Sequence, residues 1–323
     1  MIMSQPFYHL RPNKYVDRCL FLNVLERLGP FLSIMDYRYI GFGSYLFDDF
    51  KLVHERLHIS SMISLENDAS VFKRAKYNAP YNCIEIVNQT STDYISNGDW
   101  DDKKSVIWLD YTSPKQLPKQ FSDIASLLNK TIAHDIVRVT FNANADTLGK
   151  LTKEYGLENR MEKFKSRMSD YLPADYYPAD FNKENYPLFI LKCLRLLISD
   201  AFIENEYDRK FLLPVFSTVY QDGEHRMLTF TGIVLDDYDE VNKIKGFFSD
   251  IPYVDFEWDN PSKINIPGLT VKEMLEINKM LPSNDAEKQI EESFDFVFEG
   301  KEEEICSYTS FYKYYPSFLS VNF

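Results

Sequence analysis

The sequence predicts an α/β protein, a mostly parallel sheet that ends in an antiparallel hairpin, followed by a small acidic α+β region. Three observations carry this. Short runs of near-continuous apolar character alternate with amphipathic segments of helical period, the pattern of a parallel sheet covered on both faces. The first such run ends in a Gly-x-Gly turn, Gly41-Phe42-Gly43. Two later β-rich runs meet across Asp222-Gly223, a hairpin signal.

The first helix is read at KYVDRCLFLNVLERLG, where Val16, Leu20, Val24 and Leu28 share a face and Gly29-Pro30 is the stop. MDYRYIGFGS then reads as a strand entering the glycine turn. SYLFDDFKLVHERLH is an amphipathic helix with Leu46, Phe50, Val53 and Leu57 inward. SMISLEND reads as a strand with acids at its end, ASVFKRAKYN as a helix, and CIEIVNQ and KKSVIWLDY as strands. FSDIASLLNK is a further helix and DIVRVTFNAN a fifth strand. A charged helix is expected within KLTKEYGLENRMEKFKSRM, before the aromatic, proline-broken LPADYYPADFNKENYP and the apolar helix LFILKCLRLLISDAF. FLLPVFSTVY and RMLTFTGIVL form the hairpin. Beyond residue 235 the sequence predicts helices at LTVKEMLEINKML and AEKQIEESF, a solvated turn at Glu302-Glu303-Glu304, and an aromatic end. The expected domains are 1–235, with residues 1–30 as a helical cap and 150–187 as a candidate lid or packed loop, and 236–323.

Charge narrows the function classes. The net charge is -13, and residues 236–323 hold 19 acidic against 8 basic side chains, with no arginine after Arg226. Non-specific nucleic-acid binding needs clustered Lys and Arg, so coating of nucleic acid is disfavoured, although a local basic pocket is not. The four cysteines, Cys19, Cys83, Cys193 and Cys306, lie far apart and read as reduced thiols. No metal site is expected: His54 and His58 are four apart on a helix, without an evident third ligand. No apolar run reaches the ~20 residues of a membrane helix. A cytoplasmic location is expected.

Strand, GxG turn, helix, strand ending in Glu and terminal hairpin together resemble the class I S-adenosyl-L-methionine (SAM)-dependent methyltransferases, and bacterial O-methyltransferase-like proteins, over residues 14–235. YIGFGS, SLEND, VIWLDY and the hairpin carry the resemblance. It implies a Rossmann-like methyltransferase sheet and SAM as cofactor. Gly41 and Gly43 match the glycine-rich loop whose backbone approaches the cofactor; a purely structural turn is the alternative. The family's acid two residues before the first glycine is Tyr39 here, and its third glycine is Tyr45.

Glu66 stands where the family holds both ribose hydroxyls, a pairing of two donors with two carboxylate oxygens. Asp68 could substitute, and a solvated strand-end acid is the alternative. Asp93 falls near the family's contact to the adenine amino group, or caps the next helix. Asp110 and Tyr111, at the end of the fourth strand, are candidates for orienting the acceptor. The family's base-methylating motif, with its paired prolines, is not matched by Asp110-Tyr111-Thr112-Ser113-Pro114. Arg11, Lys14 and Arg18, in the polar stretch that begins at His9, could meet the SAM carboxylate or an anionic substrate. The alternative is a cap at Asn13 and a surface Asp17/Arg18 pair. Thr140, Asn142 and Asn144 could line the acceptor pocket, or be ordinary loop residues.

The resemblance implies a methyltransferase acting on an unidentified acceptor. Two other readings compete: a catalytically inactive methyltransferase-fold subunit that docks a basic protein partner through its acidic C-terminal region, and an NAD(P) oxidoreductase. The hairpin and the absence of GxGxxG count against the last.

Overall fold

The computed structural model describes residues 11–100, 103–203, 210–296 and 302–316, so His9 lies outside the described residues. Contacts divide the chain into two units. The larger takes in residues 22–219 and 225–262; the smaller takes in 1–21, 220–224 and 263–323 so far as they are described.

Helix α1 (Pro12–Leu32) runs through Gly29-Pro30 rather than stopping there. Proline removes a single N–H bond close to the helix end, and the ladder tolerates that loss. Val16, Leu20, Val24 and Leu28 are all buried, as their spacing requires. The chain then alternates β1 (Arg38–Gly41), α2 (Asp48–Leu57), β2 (Ser61–Leu65), α3 (Ala69–Asn78), β3 (Ile84–Val87), α4 (Ser91–Asn97), β4 (Ser105–Asp110), α5 (Leu117–Leu128) and β5 (Ile136–Asn142). Helices α6 (Leu157–Lys165) and α7 (Tyr186–Ile203) precede the hairpin of β6 (Phe211–Asp222) and β7 (His225–Leu235). Its turn places Gly223 at φ 68°, a left-handed conformation that costs glycine no Cβ clash. Next come α8 (Asp239–Gly246), β8 (Ser262–Ile264), α9 (Val271–Asn278), α10 (Ala286–Ser293) and α11 (Glu302–Phe311). The Glu302–Glu304 run therefore opens a helix, where a solvated turn was expected; negative charge suits a helix N-terminus.

The strands of the larger unit lie in the order β3-β2-β1-β4-β5-β7-β6. Strands β1 to β5 are mutually parallel, and β7 runs antiparallel to β5 from Ile136↔Ile233 to Asn142↔Met227. From β1 the chain builds outward to β2 and β3, then returns to the other side of β1 for β4 and β5. That reversal opens a crevice beyond the carboxyl ends of β1 and β4, where open α/β sheets bind ligands.

Alternation along β5 gives the sheet two different faces. Val137, Val139 and Phe141 join the main core with Ile107, Leu109, Phe121 and Leu194. On the other face Arg138 is fully buried, donates to Thr231 Oγ1 at 2.6 Å, and lies 4.7 Å from the Trp108 ring centre. Trp108 Nε1 in turn donates to Thr140 Oγ1 at 2.9 Å.

Residues 236–262 group with most of the hairpin in the larger unit. The cause is aromatic packing. Trp258 stacks on Phe230 at 4.5 Å, and Tyr253 meets Phe216 edge-on at 5.7 Å. In the smaller unit, the carboxylate of Asp222 accepts the backbone N–H of Asn13 and of Lys14, capping α1 from outside. The Asn13 side chain, expected to be the cap, instead donates to Gln221 O and accepts from Ile266 N–H.

Segment 150–187 packs most of its rings inward, Tyr177 being 66% exposed. Phe181 and Tyr186 are buried in the core, Tyr171 meets Phe121 at 5.4 Å, and Tyr176 meets Phe189 at 5.9 Å. At its centre the buried Arg160 donates to Gly149 O (2.8 Å) and Phe181 O (3.2 Å) and pairs with Asp146. Removing it strands two backbone acceptors. Arg160→Ala is expected to cost roughly 2–4 kcal/mol in denaturant unfolding; a loss below about 0.5 kcal/mol would show that this clamp contributes nothing.

Candidate functional site

Beyond the ends of β1, β2, β3 and β4, in the larger unit, lies a cavity of about 310 Å³. Its walls come from four turns and one helix: Phe42 after β1, Leu65 to Asn67 at β2, Gln89 to Ser91 after β3, Asp110 to Ser113 at β4, and Asp123 of α5. Gln116, Lys119 and Gln120 complete the lining.

Glu66 and Asp110, two of the acids the sequence singled out, are thus brought to one cavity from different strands. Glu66 Oε1 accepts the Asp68 N–H at 2.9 Å, so the carboxylate is held in place while part of its acceptor capacity stays uncommitted. Burial is the main cause that lifts the Glu66 carboxyl above its ordinary 4.5. The Asp68 carboxylate serves the next helix instead, accepting from Ser70 and Val71 N–H and so capping α3.

The two glycines are tightly packed by their own neighbours. A Cβ on Gly43 would sit 2.6 Å from Ser64 Oγ and 2.7 Å from the Phe47 ring, and Gly43 N–H already donates to Ser64 Oγ at 3.1 Å. On Gly41 it would come within 3.3 Å of Trp108 O and the Tyr39 hydroxyl. Gly43 is required by the protein's own packing and Gly41 is tightly fitted, while Phe42 between them lines the cavity. Tyr39, in the place of the family's acid, is buried edge-on against Phe50 at 4.9 Å. Tyr45 lies beneath the Arg74 guanidinium, 3.5 Å from ring centre to Cζ.

The remaining sequence candidates are placed as follows. Asp93 is exposed and outside the lining; its carboxylate accepts the Thr90 hydroxyl at 2.7 Å while its N–H donates back to Thr90, closing the N-terminus of α4. Thr140 is fully buried on the far face of β5 against Trp108. Asn142 also lies outside the lining and braces it, donating to Thr112 O at 3.3 Å and accepting from Asn144 N–H at 3.1 Å. Lys14 and Arg18 are buried on α1 in the smaller unit, and the cavity is lined without them.

Tyr111 lines the cavity, but its hydroxyl is committed. It donates to Asp123 Oδ2 at 3.0 Å, and its ring is wedged between Phe42 at 5.8 Å and Phe141 at 6.5 Å. Burial first, then the Asp123 charge, push this phenol well above its ordinary 10. It stays protonated at neutral pH.

Asp123 is the residue that sequence reasoning missed. It is 3% exposed, and its carboxylate accepts from Ser91 Oγ (2.7 Å), Thr92 Oγ1 (2.8 Å) and Tyr111 Oη (3.0 Å). The available signal was an acid set among the inward residues of α5, between Phe121 and Ile124.

A parallel sheet with this strand reversal, closed by an antiparallel hairpin and carrying a carboxylate after β2 at the switch-point cavity, defines the class I methyltransferase type; SAM is the methyl donor of that class. The chain belongs to the family described as "Putative O-methyltransferase", whose model matches residues 6–323. No curated protein matches it in sequence. Among solved structures it is similar to the plantazolicin methyltransferase BpumL with S-adenosylhomocysteine, at 9% identity over 68% of this chain and 84% of that one, TM-score 0.38. It is also similar to the O-methyltransferase TomG of Streptomyces achromogenes with SAM (11% identity, 66% and 78% covered, TM-score 0.34). The N-methyltransferase NodS of Bradyrhizobium japonicum is a third (7% identity, 68% and 97% covered, TM-score 0.35). Among the described residues no helix is long and apolar enough to cross a membrane.

The packing around Gly43 gives a direct expectation. Gly43→Ala should lower stability by about 1–3 kcal/mol through overpacking against Ser64 and Phe47, and Ser64→Gly in the same chain should restore part of it. An unchanged melting temperature in the single variant would contradict the assignment.

Proposed function

We propose that the chain binds SAM in the switch-point cavity and transfers its methyl group to an acceptor oxygen. The observation that carries this is the convergence of Glu66 and Asp110 on one cavity from the ends of β2 and β4. The chemistry of the wall fits the nucleoside: a half-buried carboxylate suits two ribose hydroxyls, and an aromatic ring, Phe42, stands beside it. The family's description as an O-methyltransferase supports oxygen as the acceptor atom.

SAM, when bound, supplies a methyl group on a sulfonium whose charge already activates it for in-line displacement. The protein's contribution is then position. Glu66 holds the ribose. Asp110 accepts the hydrogen bond of the acceptor hydroxyl and so points its oxygen at the methyl carbon. With SAM bound, Asp110 would take up the hydroxyl proton of the acceptor as its oxygen is methylated and would pass it on to water. Tyr111, whose proton is held by Asp123, is left out of that transfer.

Calorimetric titration of the full chain with SAM tests the reading. The expected result is micromolar binding that weakens roughly 10- to 100-fold in Glu66→Ala, the worth of a charge-assisted hydrogen bond. Because burial raises the Glu66 carboxyl above 4.5, affinity should decline as pH falls through that raised value, and Glu66→Gln should show no such decline. Absence of SAM binding would sink the proposal and favour the partner-docking subunit. Binding indifferent to Glu66 would leave the cofactor and remove the assigned site.

A further inference from the structure

The stretch of cavity wall that follows Asp110 is held by two buried amides. Asn142 Nδ2 donates to Thr112 O at 3.3 Å, and its direction is set because Asn142 Oδ1 accepts the Asn144 N–H at 3.1 Å. Gln120 Nε2 donates to Ser113 O at 2.8 Å, and the Gln116 N–H reaches the same oxygen at 3.3 Å. Both carbonyls of the turn are thus engaged from the protein side. Among the described residues, however, neither the Thr112 nor the Ser113 N–H has a protein acceptor. In a trans peptide the N–H points opposite to the carbonyl, so the Ser113 N–H points away from Asn142 on a turn that lines the cavity.

Charge on the lining is uneven as well. Its acids are Glu66, Asp110 and Asp123, and among the described residues Lys119 is its one cation. Asp123 already accepts from three hydroxyls, two of which, Tyr111 and Ser91, also touch each other at 3.4 Å. Lys119 makes no ion pair and no hydrogen bond among the described residues. It stands exposed in the first turn of α5, with the Gln116 amide three residues before it. The amides of Asn67 and Gln89 lie on the β2 and β3 side, with Glu66. An ammonium, a side-chain amide and two unused backbone N–H groups therefore come from the one segment that also carries Asp110.

We propose that Lys119, with the Thr112 and Ser113 N–H groups, forms a subsite for an oxyanion carried by the methyl acceptor, a carboxylate or phosphate close to the hydroxyl that Asp110 orients. This rests on the reading of the cavity as a SAM site. A charged oxygen takes hydrogen bonds from N–H groups and from an ammonium at once, and such charge-assisted bonds are about twice as strong as neutral ones. The chain as a whole, at a net charge of -13, repels anions, so a local cation beside fixed N–H groups is what holds one here. Because these groups share a segment with Asp110 and not with Glu66, they serve the acceptor and not the nucleoside.

The test uses small probes that differ in charge alone. The full chain, saturated with S-adenosylhomocysteine, is titrated by calorimetry with benzoate, with phenyl phosphate and with neutral benzamide. At least one anion is expected to bind about 10-fold more tightly than benzamide, and the tighter of the two names the group. In Lys119→Gln the preference should shrink to about 3-fold or less, while S-adenosylhomocysteine binds as it does to the wild type. Lys115→Gln, which removes a neighbouring exposed cation outside the lining, should keep the preference. Equal affinity for the three probes overturns the inference and leaves the SAM reading intact. So does a preference that Lys119→Gln leaves unchanged, or one that Lys115→Gln abolishes equally. If Lys119→Gln weakens S-adenosylhomocysteine as much as it weakens the anion, Lys119 serves the cofactor's own carboxylate and the inference falls. Failure of S-adenosylhomocysteine to bind removes the SAM reading and this inference together.

Discussion

A carboxylate buried on the apolar side of a helix has to be surrounded by donors, and that requirement organises the inner end of this site. Among the described residues its hydrogen-bond partners are three hydroxyls, from Ser91 and Thr92 of α4 and Tyr111 after β4, and the carboxylate is that of Asp123. Burying a charge without such bonds would cost far more than any one of them contributes. The three bonds therefore tie α4, α5 and the end of β4 to one point. Once Tyr111 is fixed there, its ring sets the position of Phe42 on one side and of Phe141 on the other.

Sheet topology does the rest. Since β1 lies between β2 and β4, the turns that follow these strands end side by side, and residues far apart in sequence share a wall. The antiparallel partner β7 covers the free edge of β5 along seven register pairs, which keeps a hydrophobic strand from ending the sheet exposed. The glycine turn also serves the sheet first: Gly43 is small because Ser64 and Phe47 already occupy the space a side chain would need.

How far this was readable depends on whether a residue acts locally or through folding. The strands and the hairpin were legible because period and turn chemistry are local properties. Glu66 and Asp110 could be singled out because the end of a parallel strand is itself a functional position. Asp123 could not, since within FSDIASLL it reads as a polar helix residue, and its donors come from two other elements. Lys14 and Arg18 show a second limit. Charged residues beside a helix start looked available, and the fold buries both. Asn13 looked like the cap of α1, whereas the hairpin brings Asp222 to that end. Pro30 looked like a terminator because sequence spacing does not show how close to its end a helix can absorb one lost bond.

The account turns on the claim that the cavity beyond β1, β2 and β4 is a nucleoside site gripped by Glu66. A crystal structure of the chain grown with S-adenosylhomocysteine tests this most directly. The account predicts both ribose hydroxyls within hydrogen-bond distance of the Glu66 carboxylate. A nucleoside seated elsewhere, or a ribose turned away from Glu66 within this cavity, would contradict it.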